Sequence, residues 1–153
     1  MSFLLSLDED KLDEIVTLLP RYETKIKAAE PIFQLEGRKL EEILRTLPHY
    51  QSSYDQSYQE LKSLEEWVNN IKEKTVGKLW KKYNEGYSRA LSTRDIQAYI
   101  ASEKDIVEFN QIIIEITLLK SNMLSIVESL KQLGWMVGHV TKLRIAEMQD
   151  AIL

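Results

Sequence analysis

Between positions 72 and 94 the chain gathers seven basic side chains, Lys72, Lys74, Lys78, Lys81, Lys82, Arg89 and Arg94, against only Glu73 and Glu85. The same stretch carries Trp80, Tyr83 and Tyr87. Because the whole chain has a formal net charge of -4, the block is a local reversal of sign. It points to an anionic ligand held at one place rather than to general adhesion. Ammonium and guanidinium groups neutralise phosphates and release counterions, and an open ring face stacks an unpaired base for about 1–3 kcal/mol whatever the base. Single-stranded nucleic acid is a ligand that uses both features.

Helical geometry separates these groups. At about 100° per residue, Lys74, Lys78 and Lys81 share a narrow stripe, while the apolar seam through Val68, Thr75, Leu79 and Tyr83 lies well round from it. Trp80 and Tyr87 flank the seam on its far side, Lys72 and Lys82 lie nearer to it, and Arg89 and Arg94 carry the charge past Gly86. Two further readings fit the same residues. In one, Trp80, Tyr83 and Tyr87 are ordinary packing residues and the lysines keep the surface solvated. In the other, a basic amphipathic helix lies on a membrane, a weaker option because the face opposite the lysines continues an internal seam.

The elements that must hold the block are helical. Ser6 with Glu9 matches a capping box ahead of Leu12, Ile15, Val16 and Leu19, which predicts a short helix ending near Pro20. A second short helix is expected over residues 38–45, since Pro20, Pro31 and Pro48 divide the first third of the chain. From Tyr50 the positions Tyr54, Tyr58, Leu61, Leu64, Val68, Ile71, Thr75, Leu79 and Tyr83 recur every three or four residues, the pattern of one long amphipathic helix. It breaks at Asn84, Gly86 and Ser88, and Ser92 or Thr93 caps a brief helix beyond. Ser102 with Asp105 then offers a capping box for a second long helix carrying Ile106, Phe109, Ile113, Ile116, Leu119, Met123, Ile126, Leu130 and Leu133, widened by Ile112, Ile114, Leu118 and Val127. Gly134 is expected to end it, and a short terminal helix with Trp135, Val137, Val140, Leu143, Ile145 and Met148 follows.

The expected fold is all-α: an elongated, self-associating helical bundle with two long helices and shorter N- and C-terminal helices. Ile112, Ile113, Ile116, Leu119, Met123, Ile126 and Leu130 are assigned to self-association, because so broad a stripe needs more than one partner helix. With 153 residues, 44% of them hydrophobic, one domain is expected over 1–153. Within it lie an extension over 1–34, a helical region with the basic block over 35–94, and core and oligomerisation helices over 95–153.

The chain has no cysteine, which excludes disulfides and thiolate metal sites. Its apolar start, MSFLLSL, lacks a basic beginning and soon meets acidic residues, so a soluble, cytoplasmic protein is expected. No phosphate loop or dinucleotide-binding glycine motif occurs, and His49 and His139 are isolated. Carboxylate pairs such as Asp8 with Asp10, Glu41 with Glu42 and Glu65 with Glu66 sit beside basic residues on helices, where ion pairing on a solvated face accounts for them. No enzyme, cofactor or metal is expected.

From "YIASEKD" to "LKQLGWMVGHVTKLR" the chain resembles the UvsY-like recombination mediators of T-even-type bacteriophages. The likeness rests on Ser102, Lys104 and Asp105 at a helix start, the long apolar helix, Gly134 with Trp135, and His139 and Arg144; upstream, "KLWKKY" resembles the family's basic stretch before a tyrosine. The resemblance implies a ring-like homo-oligomer that binds single-stranded DNA and helps a strand-exchange recombinase displace the single-strand-binding protein, without catalytic activity. It places DNA contacts near Lys78, Lys81 and Lys82, although Leu79 and Trp80 stand where the family alternates basic and small residues. The alternative is a non-enzymatic helical scaffold or adaptor whose basic patch binds an acidic protein surface.

Overall fold

The computed structural model describes residues 12–87 and 89–150. The Ser6–Glu9 cap, Ser88 and the side chain of Met148 lie outside that description. The described residues form four α-helices: α1 (Leu12–Lys27), α2 (Leu40–Glu85), α3 (Thr93–Ser102) and α4 (Lys104–Asp150), with a 3-10 turn at Glu30–Phe33. No strand occurs among them. The run "QIIIEIT" is helical, its apolar residues serving the seam of α4.

Two prolines expected to end helices sit inside them, Pro20 in α1 and Pro48 in α2. Proline lacks a backbone donor, so the carbonyl four residues earlier loses its helical partner. Those residues are Val16 and Leu44, each 45% exposed, so water can take the freed oxygen. The prolines themselves are exposed, and the opposite face of each helix is anchored by buried residues, Ile15 and Leu19 in α1 and Ile43 and Leu47 in α2. Packing thereby overrides the local penalty. The separate helix over 38–45 is accordingly the first part of α2.

Gly134 likewise does not terminate a helix, and no separate C-terminal helix exists, because α4 continues to Asp150. A Cβ at Gly134 would stand 3.4 Å from Leu47 Cδ2 and 3.6 Å from Gln51 Nε2, so the missing side chain lets α4 run close to α2. Gln51 also donates to the Leu130 carbonyl at 3.4 Å. The break after α2 occurs as expected: at Gly86 a Cβ would meet the Lys82 carbonyl oxygen at 2.6 Å. Ser92 caps α3, accepting from Asp95 N at 3.2 Å. Ser102, by contrast, does not cap α4. Its hydroxyl donates to the Tyr99 carbonyl at 2.9 Å within α3, and the single residue Glu103 turns the chain, its carbonyl accepting from Val107 N at 3.0 Å.

The chain divides into two compact units, to which each long helix contributes one stretch. Among described residues the first comprises 12–20, 60–87 and 89–119, and its buried residues include Leu61, Leu64, Val68, Ile96, Ile106, Phe109 and Ile116. The second comprises 21–59 and 120–150, with Ile43, Leu47, Tyr54, Met123, Val127, Leu130 and Leu133 buried. Full burial of such a side chain contributes about 1.5–3 kcal/mol.

In the second unit the end of α1 is fastened to α2 by Lys25. Its ammonium donates to the Ser53 carbonyl at 2.9 Å, Ser53 Oγ at 2.8 Å and Ser57 Oγ at 2.6 Å, and lies 5.1 Å from the centre of the Tyr54 ring. The Tyr54 hydroxyl returns a bond to the Lys25 carbonyl at 2.9 Å, and burial raises its pKa. Residues of the expected N-terminal extension are thus buried in both units, Ile15 and Leu19 in the first and Ala29 and Ile32 in the second.

Burial also corrects the surface assigned to self-association. Ile116, Met123 and Leu130 are 0% exposed and Leu119 is 6% exposed, so the chain's own core consumes them. Ile112, Ile113 and Ile126 are half-buried. The apolar residues of α4 left open in the first unit are Val107, Ile114 and Leu118, which repeat at helical spacing along one face.

Candidate nucleic-acid interface

The basic block falls wholly within the first unit. Towards its C-terminal end α2 carries Lys74, Lys78, Lys81 and Lys82, all exposed, with Lys72 half-buried two residues before Lys74. Arg89 is exposed in the link to α3, and Arg94 is exposed in the first turn of α3 that Ser92 caps. Helical spacing thus produces the expected stripe. Lys72, Lys78, Lys81, Arg89 and Arg94 have no carboxylate partner among the described residues.

Lys82 and Tyr83 differ from that pattern. The Lys82 ammonium lies 3.8 Å from Glu103 Oε1 and 5.5 Å from the centre of the Tyr83 ring. Its charge is partly met within the chain. Tyr83 is buried, and its hydroxyl donates to the same Glu103 oxygen. That bond, followed by burial and the neighbouring carboxylate and tyrosines, pushes the Tyr83 hydroxyl up to about 12. Tyr83 is therefore a packing residue that pins the end of α2 to the turn before α4, and it is withdrawn from the set of nucleic-acid contacts. Its seam position in α2 already carried this signal.

Around Tyr83 the rings of Tyr87 and Tyr99 stack, at centroid separations of 5.8 Å and 5.6 Å and interplanar angles of 17° and 16°. Tyr87 is 53% exposed and Tyr99 is 48% exposed. Of these two open rings, the residue pattern offered Tyr87, together with Trp80 and Tyr83, but not Tyr99. Tyr99 lies outside the basic block, on α3. Its signal was its place on the same short helix as the buried pair Ile96 and Ile100. Trp80 is half-buried and offers only part of its indole.

Compared with families of known proteins, with curated proteins and with solved structures, the chain matches none. What the site can do rests on its own chemistry. Five cations without carboxylate partners among the described residues and two open tyrosine rings occupy one unit, and Glu103 organises the packing beneath the rings. Cations of that kind hold phosphate oxygens, and ring faces accept bases. Among the described residues no group of three or more His, Asp or Glu side chains is placed to hold a metal ion, and no helix is long and apolar enough to cross a membrane.

Proposed function

We propose that the protein is a non-enzymatic single-stranded DNA-binding mediator. In this reading it helps a strand-exchange recombinase load onto DNA coated with single-strand-binding protein. The observation that carries the reading is the meeting, in one unit, of the exposed cations Lys78, Lys81, Arg89 and Arg94 with the open rings of Tyr87 and Tyr99. The cations take successive phosphates and the rings take unpaired bases, a pairing that suits an unstacked strand better than a duplex. The resemblance of residues 99–144 to the UvsY-like mediators supports the recombinase and the single-strand-binding protein as partners. Self-association raises the effective concentration of linked sites, so protomers that bind weakly alone bind avidly together. The open face of Val107, Ile114 and Leu118 supports that step, and a ring-like assembly is the form the family resemblance suggests.

Binding of a labelled oligodeoxythymidine, followed by fluorescence anisotropy beside a duplex of equal length, tests the reading. The strand is expected to bind and the duplex to bind more weakly. Tyr87→Ala with Tyr99→Ala is expected to weaken strand binding by roughly fivefold or more, the loss of about one stacked base. Equal affinity for strand and duplex, unaffected by the two substitutions, would remove the stacking argument. The adaptor reading has one observation in its favour: Lys82 already pairs with a carboxylate, Glu103, at 3.8 Å. A protein surface rich in carboxylates would engage the remaining stripe in the same manner.

A further inference from the structure

We infer that a separate nucleotide-binding face lies on α4 in the second unit, around Trp135, and that it takes one base with its phosphate. This face shares no residue with the basic block and stands independently of the proposed function. Trp135 is 75% exposed, an unusual position for an indole with no partner ring among the described residues. It borders a cleft of about 360 Å³ whose lining includes Gln51, Lys131, Gly138, His139 and Lys142. A volume of that size lies at the lower end of small-ligand sites, which span about 300–1,000 Å³, and leaves room for a single nucleotide.

Position along the helix explains the arrangement. Lys131, Trp135, His139 and Lys142 succeed one another at intervals of four, four and three residues, so they share one face of α4 with a lysine on each side of the indole. Neither lysine has a carboxylate partner among the described residues. Asp55 lines the adjoining hollow with Lys131 but forms no ion pair with it. Gly138 supplies a second observation. A Cβ there would meet nothing within 4 Å, so packing does not demand a glycine at this point of a helix, where glycine is unfavourable. Gly138 lines the cleft beside the indole. A flat aromatic surface between two ammonium groups, with an imidazole and the Gln51 amide at the edge, fits a stacked base whose phosphate reaches a lysine.

Trp67, Trp80 and Trp135 give three indole N–H signals in a nitrogen–proton correlation spectrum, and Trp135→Phe identifies the third. The protein is titrated with thymidine monophosphate, thymidine, inorganic phosphate and a hexaglutamate peptide. The expected result is a saturable shift of the Trp135 signal with thymidine monophosphate, weaker with thymidine and with phosphate. Lys131→Ala with Lys142→Ala should raise the apparent Kd about tenfold or more. The same shift must persist in Lys78→Ala with Lys81→Ala, which separates this face from the basic block. No shift at Trp135, an equal shift with phosphate alone or with hexaglutamate, or a shift confined to Trp80 would each overturn the inference.

Discussion

Removing Lys78 and Lys81 together is the sharpest probe of the basic block, because both are exposed and neither has an ion-pair partner among the described residues. Lys74 is engaged within the chain and Lys82 is shared with Glu103, which leaves Lys72, Lys78, Lys81, Arg89 and Arg94 as the cations open to phosphate. Each neutralised phosphate on a single strand contributes about 0.7 to the fall of log K with log salt. Five contacts per protomer therefore give a slope of about -3.5, or about a 130-fold loss of affinity between 50 and 200 mM salt. Lys78→Ala with Lys81→Ala leaves three contacts, a slope of about -2.1 and about an 18-fold loss over the same range. Anisotropy titrations of a labelled oligonucleotide at several salt concentrations give both slopes. Thermal unfolding should move little, since exposed substitutions of this kind stay within about 0.5 kcal/mol. If the double variant kept the parent slope, or if salt left the parent's affinity unaltered, these cations would not be the contact surface.

Three other outcomes follow from the packing. Tyr83 is expected to stay protonated up to about pH 12 in an ultraviolet titration; its raised pKa favours the fold fully below about pH 10, the usual tyrosine range, and that contribution is lost as pH rises through 12. Tyr83→Phe should abolish the late phase of the titration, and survival of that phase would assign it to another tyrosine. Ile114→Glu with Leu118→Glu should convert any assembly to single protomers by light scattering without lowering the melting temperature, because the two side chains are 67% and 61% exposed; an unchanged mass would move the interface elsewhere. The two helical glycines should diverge in chemical denaturation: Gly77→Ala, with nothing within 4 Å of the added Cβ, is expected to stabilise by about 0.5–1 kcal/mol, whereas Gly134→Val drives methyl groups at Leu47 and Gln51 and should cost about 1–3 kcal/mol.

The two long helices were readable because Leu61, Leu64, Val68 and Ile71 in α2, and Ile106, Phe109, Ile116 and Leu119 in α4, repeat at the helical period and are buried as that period requires. Punctuation was less readable. Pro20, Pro48 and Gly134 are stop signals in local chemistry, yet whether a helix stops depends on which face the residue occupies. The prolines face solvent and the glycine faces a neighbouring helix, information that a linear pattern does not hold. The lysine stripe was legible for the opposite reason, since exposed groups on one helix follow from spacing alone. Tyr83 was marked as a packing residue by its place on the seam of α2, but its bond to Glu103 and the stacking of Tyr99 against it required the tertiary fold, because a different helix brings that second ring in. The assignment of Ile116, Leu119, Met123 and Leu130 to self-association failed because a broad apolar stripe does not say which part its own chain covers.

The amine of Lys25 has all three of its hydrogens directed at oxygen, two on Ser53 and one on Ser57. An acylating reagent needs the lone pair of a neutral amine, and this nitrogen must surrender several bonds before it can offer one. Chemical footprinting of the purified protein therefore carries an internal standard: Lys25 reacts slowly with or without oligonucleotide. Protection measured at Lys78 and Lys81 can be scaled against that slow reporter within the same sample.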